Sequence, residues 1–162
     1  MDADLERLAD QARRLRFSRF DADDAWRLGT RLRELASTRE LHVTIEIRLG
    51  KETVFLTAMP GTSPANSDWA RRKRNVVEAL HRSSYVVGLE AAAKGRSALD
   101  EMGLAARDHA DHGGAVPIVV EGVGCVGVVT VSGLPQRADH ELVVEVLAEM
   151  CGLSYDDVKL TG

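Results

Sequence analysis

The stretch Ala115-Val116-Pro117-Ile118-Val119-Val120-Glu121-Gly122-Val123-Gly124-Cys125-Val126-Gly127-Val128-Val129-Thr130-Val131 decides the fold. Two near-continuous apolar runs, 115–120 and 124–131, flank a short connection containing glycine. Runs of this length on either side of a tight turn read as a hairpin buried on both faces. Gly127, between Val126 and Val128, has no side chain and marks a close approach or a bulge. Upstream, Val43, Ile45, Ile47 and Leu49 alternate with His42, Thr44, Glu46 and Arg48, the period of a half-buried strand. Gly50 to Thr53 make a turn, Val54 to Met59 return, and Pro60-Gly61 end the second strand. Both pairs have hairpin-length connections, which favours an antiparallel sheet over a wound parallel one.

Helical period takes over elsewhere. Leu5, Leu8, Ala12 and Leu15 share one stripe of a helix expected over Asp2 to Arg16. Asp21, with Asp24 in the first turn, opens a second helix carrying Ala25, Leu28, Leu32, Leu35 and Ala36 inward. Asn66 or Ser67 can cap a third, running to about Ser83, with Trp69, Val76, Val77 and Leu80 on its apolar face. Tyr85 to Leu104 reads as mixed, because Ala91 to Ala93 favour helix while Gly88, Gly95 and Gly103 break it. A short helix over Ala105 to His112 should end at Gly113-Gly114, the first glycine adopting the left-handed conformation. Beyond Ser132-Gly133-Leu134-Pro135, a final helix turns Leu142, Val143, Val146, Leu147 and Met150 inward. The fold class is α+β, a mixed α/β domain with an antiparallel sheet flanked by helices.

A chain of 162 residues suits one domain that buries roughly 68–70% of its unfolded surface. The apolar share of 44% and the charged share of 28% exclude a disordered or collagen-like chain. Aromatics at 4% leave pocket walls to aliphatic residues and argue against base-stacking platforms. The net charge of −4 offers no long-range attraction to phosphate backbones or anionic membranes, so neither nucleic acid nor membrane is an expected partner. Met1-Asp2-Ala3-Asp4-Leu5-Glu6 has neither the basic nor the apolar region of a signal peptide, and the expectation is a cytoplasmic protein. Cys125 lies in an apolar run and should be buried, Cys151 should be more accessible, and no disulfide is expected in a reducing compartment.

Gly113-Gly114-Ala115-Val116-Pro117-Ile118, then Gly124, Gly127, Val131-Ser132-Gly133 and Asp139, resembles the pattern of the haem-degrading-domain (GlcG/HbpS-like) superfamily. Pro60-Gly61, Asn66, Trp69, Lys73 and Ser83-Ser84 resemble its uncharacterised-protein-family branch. The resemblance implies a profilin-like fold and a closed homo-oligomer, and some relatives are associated with haem. It divides the single domain 1–162 into an N-terminal helical extension at 1–19, a core at 20–153 and a polar tail at 154–162.

Three Asp-His pairs stand out: Asp108-His109, Asp111-His112 and Asp139-His140. On a helix, His109 and His112 would face the same way and could ligate one metal or, singly, a haem iron. Alternatively these residues cap helix ends, with Asp139 stabilised near a helix N-terminus. There is no H-E-x-x-H, paired C-x-x-C or C-x-x-C-H, which argues against zinc protease, zinc ribbon and covalent haem. Lys73 places an ammonium on the apolar face beside Trp69, Val76 and Val77, where it either snorkels or meets an anion. Arg71, Arg72 and Arg74 complete a basic cluster, either a solvated face or a seat for a carboxylate.

Ser132-Gly133 lies where a strand runs into a helix, and the backbone N–H groups there are ready anion donors. The G-x-S-x-G elbow of a serine nucleophile is absent. Trp69 suits the core better than a cofactor stack, and Met59 fills a gap or serves as a soft iron ligand. Lys73, Trp69, Asn66, Ser132, Gly133, His112, Gly113 and Gly114 are expected around one cavity for haem or a small anionic metabolite. Two other readings compete. One is a non-catalytic oligomeric adaptor presenting the Leu5, Leu8 and Leu15 stripe, which a lone helix cannot bury, and the tail Ser154-Tyr155-Asp156-Asp157. The other is a metal-dependent enzyme built on the histidines.

Overall fold

Two hairpins meet at the middle of one sheet. In the computed structural model, which describes residues 2–162, β1 (Thr44–Leu49) and β2 (Glu52–Ala58) form the first, and β3 (Ala115–Val120) and β4 (Gly124–Ser132) the second. The order is β2-β1-β4-β3, antiparallel throughout, with Thr44 opposite Ser132, Glu46 opposite Thr130 and Arg48 opposite Val128. Joining the hairpins through β1 and β4 puts Pro117 on an edge strand, where its missing N–H costs no central ladder bond. A Cβ on Gly127 would lie 2.2 Å from the Arg48 carbonyl, so the close approach read from sequence is that of two backbones.

Strand alternation sends Val43, Ile45, Ile47, Val129, Val131, Val116 and Ile118 to one face, all in the main core cluster. There they meet α2 (Ala22–Thr38) and α6 (Gln136–Met150). Helix α2 starts where expected: the Asp21 carboxylate accepts the Asp24 N–H and Asp24 accepts the Asp21 N–H, a reciprocal capping box. The other face is covered by α3 (Pro64–Leu80), whose start is set by Ser63 and Asn66, the Asn66 amide oxygen accepting the Ser63 N–H at 2.9 Å. The stretch read as mixed resolves into α4 (Ser84–Lys94), ended by Gly95, and the short α5 (Ala98–Glu101).

The helix expected over Ala105 to His112 does not form. Side chains of α3 satisfy that backbone instead: Arg72 donates to the Ala106 carbonyl, Arg71 to Arg107 and Asn75 to Asp108. The positive φ falls on Gly114, not on Gly113. At the chain ends, α1 (Asp2–Arg14) buries Leu8 against Tyr85 and Leu160, and Leu15 joins the main core. That stripe is therefore largely covered within the chain and supplies no argument for an interface. The tail forms α7 (Tyr155–Val158), with Val158 and Leu160 buried and Ser154, Asp156 and Asp157 exposed. Cys125 and Cys151 are both free and half-buried, which removes the expected contrast between them. Met59 is a core side chain.

Candidate functional site

The lysine that sequence places on an apolar stripe sits almost wholly inside the protein. Lys73 and Asp139 are 4% and 1% exposed, and the Lys73 Nζ donates to the Asp139 Oδ2 at 2.9 Å and to the Val131 carbonyl at 3.3 Å. Asp139 stands in the first turns of α6 and reaches back over the strand-to-helix junction. Its Oδ1 accepts the Leu134 N–H at 2.9 Å and its Oδ2 the Gly133 N–H at 3.4 Å. The backbone donors expected to receive an external anion are thus held by an internal one. Lys73 does not snorkel either; burial has given it a carboxylate partner.

The glycines of the motif make room for this pair. A Cβ on Gly114, whose φ is 137°, would lie 2.9 Å from the Lys73 Nζ and 2.3 Å from the Val131 carbonyl. On Gly113 it would lie 2.4 Å from the Gln136 carbonyl. Burial pushes the Asp139 carboxyl above its ordinary range, opposed by Lys73 and by the Leu134 and Gly133 N–H groups.

Above the pair opens a cleft of about 260 Å³. Its walls include Asn66, Trp69, Lys73, His112, Ser132 and Gly133, bringing together six of the eight residues grouped by sequence. Leu134, Gln136 and Asp139 complete it, while Gly113 and Gly114 lie behind the wall as spacers. Trp69 is not core: it is 37% exposed on the rim, with the Arg72 guanidinium 4.6 Å from its ring and His112 packed edge-on at 5.1 Å. The His112 side chain is 50% exposed.

His109 does not join His112, because the helix that would have aligned them is absent; its Nδ1 lies 3.0 Å from the Ala105 carbonyl. Among the described residues no group of three or more His, Cys, Asp and Glu could hold a metal ion. The basic cluster is consumed internally: Arg71 pairs with Asp68 and Asp108, and Arg74 with Glu46 and Glu78. His140 is buried away from this cleft, with Nε2 against the Gln11 Oε1 at 2.9 Å. Asp139 as the internal anion is the main feature missed. Its position in the first turns of α6, just after Ser132-Gly133, is the signal that could have found it.

An α+β domain with a cleft over a buried ion pair is the class these features define. A family model described as "Haem degrading protein HbpS-like" matches residues 20–148, and the chain belongs to that family. It is 57% identical over 160 residues to the UPF0303 protein of Azotobacter vinelandii, spanning 99% of this chain and 96% of the other. The crystal structure of the Ybr137w protein superposes with a TM-score of 0.81 at 30% identity, covering 91% of this chain and 87% of that one. A PduOC haem complex shares the fold, with a TM-score of 0.69 at 16% identity, over 80% of this chain and 93% of that one. No helix among the described residues is long and apolar enough to cross a membrane.

Proposed function

We propose that this protein binds a small ligand, haem or a related anionic metabolite, in the cleft over Lys73 and Asp139, and works as a cytoplasmic homo-oligomer. The observation that carries this reading is the buried pair at the cleft floor, with the Asp139 carboxyl pushed up by burial. A buried ion pair contributes little to stability, so its retention beneath an open cleft points to ligand chemistry. An entering carboxylate competes with Asp139 for Lys73. Protonating Asp139 removes that competitor, so affinity rises as pH falls through its raised pKa. About 260 Å³ suits a carboxylate-bearing arm rather than a whole macrocycle. Haem would seat a propionate in the cleft and lay its ring across Trp69 and His112, and a second copy of the chain would cover the exposed side. Haem binding in a relative of the same fold supports this choice of ligand. The adaptor reading loses part of its support, because Leu8 and Leu15 of the stripe are packed within the chain, while Ser154, Asp156 and Asp157 of the tail stay exposed.

Haem titration followed by visible absorption tests the reading. Saturable binding should weaken in Trp69→Ala, change its iron-ligand spectrum in His112→Ala, and lose its rise at low pH in Asp139→Asn. The absence of saturable binding, or binding indifferent to all three substitutions, overturns haem as the ligand. Sedimentation at micromolar concentration should show an oligomer; a monomer refutes that part.

A further inference from the structure

The outer edge of β3 is occupied on both sides of a gap. At its start the Ala115 N–H donates to the Ser84 Oγ at 3.1 Å, and that hydroxyl donates back to the Ala115 carbonyl at 3.4 Å. Further along, the Phe17 N–H donates to the Val119 carbonyl at 2.9 Å and the Phe17 carbonyl accepts the Glu121 N–H at 2.8 Å, a single residue bridging in parallel. Alternation along an antiparallel pair turns the N–H and C=O of every second residue outward, so Pro117 shares this edge with Ala115, Val119 and Glu121. Two outward groups therefore stand between the attachments: the Pro117 carbonyl and the Val119 N–H. Among the described residues neither has a hydrogen-bond partner. Ile118, between them, is paired inward with Gly127 of β4.

Pro117 and Val119 are only partly buried, and both line a cavity of about 230 Å³ between α1, the start of α4 and β3. Leu8, Leu15 and Val86 give it apolar wall, while Arg16, His81, Arg82, Ser83 and Glu90 give it polar wall. It shares no lining residue with the cleft over Lys73. An acceptor and a donor two residues apart on a strand edge complement one extended peptide residue, whose N–H meets the first and whose C=O meets the second. Phe17 makes that same pair of bonds one step further along the edge. We propose that this cavity binds a single apolar residue in amide linkage, its backbone on Pro117 and Val119 and its side chain against the aliphatic wall. A cavity of about 150 Å³ already takes a benzene ring, so this one suits a side chain with its own amide groups rather than a long peptide. The polar wall accommodates the amides on either side of that residue.

The test compares N-acetyl-leucinamide with the ester in which oxygen replaces its leucine N–H, an analogue of nearly the same shape. The ester cannot donate to the Pro117 carbonyl. The amide should bind saturably and about tenfold more tightly, the effect of one satisfied hydrogen bond. In ¹⁵N-labelled protein it should also shift the Val119 N–H resonance and slow the exchange of that proton with solvent. Val119→Pro removes this donor without breaking a ladder bond, because the N–H points outward, and should abolish amide binding. Ala12→Phe, at an exposed position of α1 that lines the cavity, should block the amide as well while the circular dichroism stays that of the wild type. Equal binding of the two compounds, an unmoved Val119 resonance or no binding of the amide overturns the proposal; the last would mean that only water satisfies this edge. Dissociation of an oligomer on Val119→Pro overturns it too, because a second copy of the chain would then be the occupant.

Discussion

On one face of the sheet Ile45, Ile47, Val129 and Val131 meet α2 and α6 and are completely buried; on the other, Thr44, Glu46, Arg48, Thr130 and Ser132 lie under α3. The same two strands supply both sets by alternation. The apolar face needs only volume and shape to be satisfied. The polar face needs partners, which α3 brings: Arg74 to Glu46 at 3.0 Å and Glu78 to Arg48 at 3.3 Å, while its Lys73 meets Asp139 of α6 at 2.9 Å. Even so, the Thr44 and Thr130 hydroxyls and the Arg48 Nε find no partner. Buried charges gain little net stability over an apolar filling. The comparison therefore assigns stability mainly to one face and the proposed ligand cleft to the other.

The sharpest way to break this assignment is to strand one half of the buried pair. Asp139→Leu leaves the Lys73 ammonium inside with no counter-charge and should cost about 3–5 kcal/mol in urea unfolding. Adding Lys73→Met should recover much of that loss, because the stranded charge is gone. What remains measures the Leu134 and Gly133 N–H groups that Asp139 also served. If the double substitution is as unstable as the single one, the two charges are not coupled and the contrast between the faces fails.

Ile47→Ala probes the other face. It removes a fully buried side chain beneath α2 and should cost about 2–5 kcal/mol, depending on how far the core relaxes into the cavity. Ligand affinity should not change, since Ile47 points away from the cleft. A loss of affinity without loss of stability would reverse the assignment of the faces.

The two faces also differed in how legible they were. Period-two alternation names Ile45 and Ile47 directly, and the Asp21 and Asp24 cap lies within four residues, so α2, β1 and the main core could be read locally. The polar face depends on distant partners. Lys73 is 66 residues from Asp139, and His140 is 129 residues from Gln11, separations that no local pattern encodes. The failed helix at Ala105 to His112 has the same cause: its carbonyls are claimed by Arg71, Arg72 and Asn75 of α3. Lys73, Trp69, His112 and Ser132 line one cleft because the motif fixed their elements, but the charge balance there was read incompletely. Sequence shows which groups favour an anion and conceals that Asp139 already provides one.

The smallest effect concerns a pair that looks strong. Arg39, at the end of α2, makes two hydrogen bonds to Glu145 of α6, at 2.7 and 2.8 Å, a bidentate fork as close as the Lys73–Asp139 contact. Its side chains are 44% and 26% exposed, against 5% and 1% for the buried pair. Water and salt screen the exposed charges, and two long side chains lose rotamer freedom to hold the geometry. A double-mutant cycle over Arg39→Met and Glu145→Gln should therefore give a coupling of only about 0.2–1 kcal/mol, shrinking further in 0.5 M salt. Glu145 is held below the usual carboxylate range by Arg39, so the small stability it adds is present at neutral pH and is lost as pH falls through that lowered pKa. If this coupling is as large as the stability that Lys73→Met recovers in Asp139→Leu, geometry rather than burial governs these pairs, and the contrast between the sheet faces loses its physical basis.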